Sequence, residues 1–377
     1  MKKVYLWSLL ALLLAPQISC KTEKEILYIG TAGMNDSQGI YVYDYERNTN
    51  KFTLLQTLPE ISAPNFLALH PSGDFLYSVN DITDEQGKEQ DAVSAFSIDP
   101  STGMLTLLNQ VPSHGGGNCH IELDRKGKFI YVAHYGSGNL SSFKIESDGS
   151  IGDILQTIQF TGSSITRRQQ QSHLHAILVD AGNRFAYAAD LGADKVYIFE
   201  LDATTGMLAP AAVPWVAAVP GSGPRHMAFN REGSLFYLAE ELSNTVSVFR
   251  ISQEDGSLNI EQRLPTLPEE FDGQNTVADI HLTPDGELLF VSNRGHNSLA
   301  IFSVQDDGTL EVAGHEPVQG DHPRNFMVDP KGEFVLVANR NTVNINQFEL
   351  VEGAGPLQYT GTTLDVPAAI CLKWLRL

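Results

Sequence analysis

Cysteine is scarce in this chain of 377 residues, with three in all, Cys20, Cys119 and Cys371. No CxxC or HExxH pairing occurs, which excludes the common spaced-ligand zinc sites and dithiol redox motifs. Cys119 and Cys371 fall in segments expected to be strands several repeats apart, so no disulfide is expected. A domain large enough to bury a broad core does not need one. Basic residues are few as well, 25 against 45 acidic, for a net charge of −20. Binding along a phosphate backbone needs a basic surface, so nucleic acid is not an expected partner. Long helical periodicity is absent outside the first twenty residues. The run Gly115, Gly116, Gly117 lacks the Lys-Ser/Thr and the helix of a phosphate loop, and reads as a loop that must pass close to other backbone.

What the chain does contain is one strand pair written six times, at 65–80, 119–134, 175–190, 225–240, 278–293 and 324–339. Each copy is an apolar strand, a tight turn and a second apolar strand ending in a polar residue. Anchored on the residue before the turn (His70, Asp124, Asp180, Asn230, Thr283, Asp329), the copies recur at intervals of 54, 56, 50, 53 and 46 residues. A period near fifty with several strands per unit is that of a propeller blade. Seven positions after the anchor stands Tyr77, Tyr131, Tyr187, Tyr237, Phe290 or Leu336. A third strand with a Phe follows, then a turn such as Asp148-Gly149 or Thr205-Gly206, then a fourth strand, as at 104–111 and 309–316. The first copy carries an extra charged loop at 84–91. The ends supply a further blade: 26–31, 41–45 and 52–58 read as its outer strands and 368–372 as its innermost. The expected architecture is all-β, one seven-bladed β-propeller over 26–377, closed by pairing of N- and C-terminal strands, which removes exposed sheet edges.

The first twenty residues stand apart. Lys2 and Lys3 precede an apolar run at 4–15 that ends near Ser19-Cys20, which is the layout of a secretory signal and too short for a membrane span. A small residue before a single Cys suggests lipoprotein processing, although Gln17 stands where such sites usually carry an aliphatic side chain. The expectation is an exported, periplasmic or outer-membrane-anchored lipoprotein, lipidated at Cys20, tethered through 21–25 and touching the membrane only through that anchor.

The innermost strand of every blade lines a propeller's channel. Five positions before the anchors stand Asn65, Cys119, His175, Arg225, Ala278 and Arg324; eleven after stand Asp81, Tyr135, Leu191, Glu241, Arg294 and Arg340. In a regular hairpin these two positions oppose each other, so Arg225 should face Glu241 and Arg324 should lie near Arg340. His175, Arg225, Glu241, Arg294 and Arg324 should then gather at one mouth of the channel. Each alone reads as an ordinary ion-paired or solvated residue. Together, three arginines, a carboxylate and an imidazole can hold an anion and move protons. Ten positions after the anchors, Asn80, His134, Asp190, Glu240, Asn293 and Asn339 add polar groups; His134, Asp190, Asn293 and Asn339, with His173 and Arg324, are the expected substrate-binding residues. His173 and His175 lie on one face at the start of a strand. With no third ligand at metal spacing they read as one catalytic and one supporting imidazole, and neither metal nor other cofactor is expected.

The strings HLHAILVD (173–180), DLGADKVYIF (190–199), GPRHMAFN (223–230), EEL (240–242), SNRGHNSLAIF (292–302) and HPRNFMVDP (322–330) make nearly the whole mature chain resemble the seven-bladed lactonase family. That family includes propeller-type 6-phosphogluconolactonases and carboxy-muconate cycloisomerases. The resemblance implies a catalytic His, Glu and two Arg, which carry over onto His175, Glu241, Arg225 and Arg294. It implies hydrolysis of a sugar-acid lactone, with a small anionic or sugar lactone as the partner. For an exported chain an unphosphorylated lactone is an alternative substrate. A lactonising cycloisomerase would use the same residues, and the endings YSVN, FVSN and LVAN also resemble propellers that only bind.

Overall fold

The computed structural model describes residues 24–84, 86–351, 353 and 355–377. Signal segment and Cys20 therefore lie outside the described residues. Seven antiparallel four-stranded sheets succeed one another along the chain. Blade 1 takes Glu25–Thr31, Ile40–Glu46 and Lys51–Leu58 from the start of the chain and Ala369–Arg376 from its end. The remaining blades begin at Ser62, Asn118, Leu174, Pro224, Thr276 and Pro323, and each is a consecutive meander. The innermost strands touch both neighbours in an unbroken circuit, so the ring is closed. The expected elements all form. Glu25, expected to precede the propeller, already belongs to it: it pairs with Tyr45 and Arg376 and is buried. The expected loop at 84–91 is shorter than its bounds: residues 89–91 already belong to the strand Glu89–Ile98, whose Glu89 pairs with Thr83 at the end of Phe75–Thr83.

The core lies between blades. Alternation along each strand sends one set of apolar residues to each face, so Tyr131 and Phe199 meet in one inter-blade layer while Tyr187 and Phe236 meet in the next. Fully burying such a side chain is worth about 1.5–3 kcal/mol. The repeated Tyr and the turn Gly turn out to be partners. Tyr28, Tyr77, Tyr131, Tyr187 and Tyr237 each donate from Oη to a turn-glycine carbonyl of the following blade: Gly103, Gly149, Gly206, Gly256 and Gly308. Gly149 has φ 85°, and a Cβ there would stand 2.2 Å from Phe75, so no other residue fits this contact. Phe290 and Leu336 cannot make the bond. At the seam between blades 7 and 1, Arg47 instead spans Glu25 and Asp329, with Nη2 at 2.8 Å from a carboxylate oxygen of each.

Candidate active site

The ladder between first and second strand breaks at the same place in the six complete hairpins. Pairing jumps from Ser62 to Phe66, Asn118 to His120, Leu174 to Ala176, Pro224 to Met227, Val277 to Ile280 and Pro323 to Asn325. Such a bulge leaves residues unpaired and re-aims their side chains. The freed residues include those five before the anchor, Asn65, Cys119, His175, Arg225, Ala278 and Arg324, together with His226 and Asp279. Regular pairing across the hairpin is therefore not what brings Arg225 to Glu241. Pro224 pairs with Glu240, and the bulge lets Arg225 reach past it.

Glu241 is the centre of the grouping and is buried. Its Oε2 accepts from Arg225 Nε and is ion-paired with Arg294 Nη2, both at 3.0 Å. Both guanidinia are anchored behind, Arg225 on Ala278 O at 2.5 Å and Arg294 on Val277 O at 2.6 Å, neighbouring carbonyls of one inner strand. His175 Nε2 stands 4.0 Å from the same Oε2, and His175 Nδ1 has no partner. Burial would raise the Glu241 carboxyl, but Arg294, Arg225 and Arg168 overcome it and bring it down to about 2. Burial, with Arg225, His226 and Arg324 nearby, holds the His175 imidazole well below its usual range, so it is neutral. Arg324 makes no hydrogen bond or ion pair among the described residues. Burial and the facing Arg294 lower it, and Arg340 adds to that field. Below the cluster a cavity of about 100 Å³ is lined by Asn65, Cys119, Arg225, His226 and Arg324 among others. Cys119 is no nucleophile: its thiol donates to His175 O at 3.2 Å and burial pushes it up to about 12. A wider cleft of about 500 Å³ opens beside Asp285, Leu288 and Pro356 but carries neither cation nor imidazole.

Other expected residues are placed differently. His173 lies beside the cluster, stacked on the Tyr135 ring (centroids 4.3 Å apart) with Nδ1 2.7 Å from Tyr135 O. Asp190, Asn293, Asn339 and His134 do not join it. In blades 3, 4, 5 and 7 the second strand ends at the residue ten after the anchor, His134, Asp190, Glu240 or Asn339, and the residue eleven after has already turned out of it; in blade 6 both are in the strand, and Asn293 and Arg294 take opposite faces. Asp190 accepts from Ser172 Oγ and the backbone of His173, Gly192 and Ala193. Asn293 is shared among Thr266, Asn275 and Ser298. Asn339 bonds Val318 O beneath Gly320, and His134 bonds Ser141 beneath Gly115, where a Cβ would meet the ring at 2.3 Å. That contact accounts for the first glycine of the run. Burial lowers His134 to about 4, so it too is neutral.

Sequence reasoning missed three participants. Arg168 lies in the connection between blades 3 and 4, outside the repeat, and its Nη1 stands 2.5 Å from Glu241 Oε1. The signal was a pair of adjacent arginines, Arg167 and Arg168, in an acidic chain. Tyr135, whose Oη accepts from Arg168 Nη2 at 3.0 Å, occupies a repeat position already noted. His226, next to Arg225, is fixed by Asp279: Nδ1 is 2.7 Å from Oδ1, leaving Nε2 unpartnered. Asp279, itself buried, also receives Asn325 and the partly exposed His281. Among the described residues no group of three or more His, Cys, Asp or Glu is arranged to hold a metal.

The ring defines a seven-bladed propeller, with several arginines gathered around one buried carboxylate. Residues 26–374 match the family model described as "Lactonase, 7-bladed beta-propeller", and the chain belongs to that family. It is 37% identical over 341 residues to a 6-phosphogluconolactonase of Formosa agariphila, covering 89% of this chain and 95% of the relative. A 6-phosphogluconolactonase of Bacillus subtilis is 31% identical over 354 residues, covering 94% and 99%. The solved structure of a periplasmic gluconolactonase from Pseudomonas aeruginosa superposes with a TM-score of 0.86 at 29% identity, covering 93% of this chain and 99% of that one.

Proposed function

We propose that this mouth of the channel hydrolyses a sugar-acid lactone, with Glu241 taking a proton from the attacking water while Arg225 and Arg294 hold the oxyanion. The observation that carries the reading is Glu241 itself: a buried carboxylate with two anchored guanidinia on Oε2 and a neutral imidazole at 4.0 Å. The arginines keep it ionised, as a base must be, and remain in place to meet negative charge on the carbonyl oxygen. Collapse of the tetrahedral intermediate breaks the ring C–O bond, and the leaving oxygen takes the proton back from Glu241. His175 orients the water, and Arg324, which makes no hydrogen bond or ion pair among the described residues, receives an anionic group. The family and the two 6-phosphogluconolactonases support lactone chemistry, and the gluconolactonase structure supports acceptance of a sugar lactone.

Purified protein, assayed for acid release on a panel of sugar lactones, tests the reading. Glu241→Gln and Arg225→Ala should each lower kcat/KM by about a hundredfold or more. Wild-type turnover in both variants would end it. We also infer export and anchoring through lipidated Cys20, on the charge and apolar pattern of the first twenty residues; the periplasmic neighbour agrees with export. Among the described residues no helix is long and apolar enough to cross a membrane. Mass analysis of the membrane fraction for a diacylglyceryl group on Cys20 tests this, and an unmodified mature chain would overturn it.

A further inference from the structure

The two oxygens of Glu241 are held in different ways. Oε2 belongs to Arg225 and Arg294, whose side chains are 2% and 6% exposed and bonded behind to backbone carbonyls. Among the described residues Oε1 has Arg168 as its one hydrogen-bond donor, and that side chain is 47% exposed. The other bond it makes among them is to the Tyr135 hydroxyl. The backbone around it is pinned: Gln169 is buried, its side chain donates to Leu191 O, and its carbonyl accepts from Ser164 N. The loop is thus fixed while the guanidinium at its edge can swing. The surroundings are also short of negative charge. Arg168, Arg225, Arg294, Arg324 and Arg340 gather here, while the carboxylates within their field are Glu241, Asp279 and Asp321. Of these, Asp279 is engaged by His226, His281 and Asn325, and Asp321 by Asn297 and Asn341. On a chain of net charge −20 this is a local surplus of cations waiting for an anion.

We propose that Arg168 is a removable cap on the base: the anionic substituent of a charged lactone takes its guanidinium, and Glu241 Oε1 is left free to accept the water proton. The inference rests on the lactonase reading above. A phosphate or carboxylate offers Arg168 two oxygens in the fork geometry that suits it, where Glu241 offers it one. The exchange leaves Arg225 and Arg294 on Oε2, so the carboxylate stays placed while its other oxygen regains basicity. The water's O–H bond breaks toward Oε1 as its oxygen bonds the carbonyl carbon; the ring C–O bond then breaks, and the proton passes from Oε1 to the released alkoxide. Arg168 so makes the site prefer charged lactones twice over, by binding them and by switching on the base only when they arrive.

The test compares wild type, Arg168→Ala and Arg168→Lys on three rings: 6-phosphogluconolactone, a glucarolactone bearing a free carboxylate, and neutral gluconolactone. Arg168→Ala should raise KM roughly ten- to a hundredfold on the charged ring that is the true ligand. The other charged ring should change less, which tells phosphate from carboxylate. On neutral gluconolactone the same variant should turn over faster, because the cap is gone. The acid limb of kcat/KM should move to higher pH, since Glu241 then faces Arg225, Arg294, His175 and the more distant Arg324 but not Arg168. Arg168→Lys keeps the charge but not the fork, so it should restore only part of the charged-ring binding. Equal slowing on all three rings, or no change on any, would overturn the proposal. Calorimetric titration with 6-phosphogluconate and with glucarate decides it independently of turnover: the cap predicts weaker binding to Arg168→Ala, and unchanged affinity for both refutes it. Wild type inactive on every ring would fell the lactonase reading alone.

Discussion

Glu240 and Glu241 are adjacent, both glutamate, both buried, and both paired with arginine, yet they belong to different parts of the molecule. Glu240 points into its own blade, where Oε2 receives Thr245, Ser247 and Arg263 at 2.6, 3.1 and 2.8 Å. It is one of a ring of latches, with Asn80, His134, Asp190, Asn293 and Asn339, that tie second strands to the neighbouring strands and loops. Glu241 points the other way, to the channel mouth, and meets arginines from blade 5, blade 6 and the 160–173 connection. A one-residue step decides whether a carboxylate staples a blade or joins the site, because the second strand ends at Glu240 and Glu241 already belongs to the turn that leaves it.

The comparison breaks if the two carboxylates prove interchangeable. Glu241→Gln should give the largest effect, a loss in kcat/KM of about a hundredfold or more, measured on whichever lactone the wild type turns over. Glu240→Gln should leave kcat/KM near wild type but lower stability in urea unfolding. A buried pair broken from one side costs about 3 kcal/mol or more, and the partial exposure of Arg263 reduces that to about 2. Full activity in Glu241→Gln, or a dead but stable Glu240→Gln, would reverse the assignment. Tyr187→Phe removes one inter-blade latch to Gly256 and should cost about 0.5–1.5 kcal/mol with no kinetic change.

The smallest effect is in the pH dependence of stability. Glu241 has its folded carboxyl lowered, so its contribution is complete above pH 4.5 and is lost as pH falls toward about 2. His134 is lowered from 6.5 to about 4, so its neutral burial begins to favour unfolding below pH 6.5, an effect complete near pH 4. Glu241→Gln should flatten the stability profile between pH 4.5 and 2, and His134→Gln between 6.5 and 4. Identical slopes in wild type and variants would show that neither group is linked to folding as the structure implies.

Most of the blade plan was legible because a repeat announces itself: the Tyr and the turn Gly recur at steady offsets, although their mutual hydrogen bond does not. The site was legible where it follows the repeat. Arg225, Glu241, Arg294 and His175 hold repeat positions, and the structure brings them together. The same rule misled at Asp190, Asn293, Asn339 and His134, because a polar residue at a strand end looks the same whichever face it takes. Arg168 lies outside the repeat, so no offset pointed to it.

Composition, period and the pairing of the two ends by themselves determined a closed ring of seven blades. Apolar alternation and turn residues act over a few positions, and six copies of one pattern leave little freedom in how they stack. Tertiary structure alone decided which polar groups share the mouth. That choice turns on a bulge in each inner hairpin, the facing of single residues, and a loop that reaches across from a neighbouring blade, all contacts between parts of the chain far apart in number.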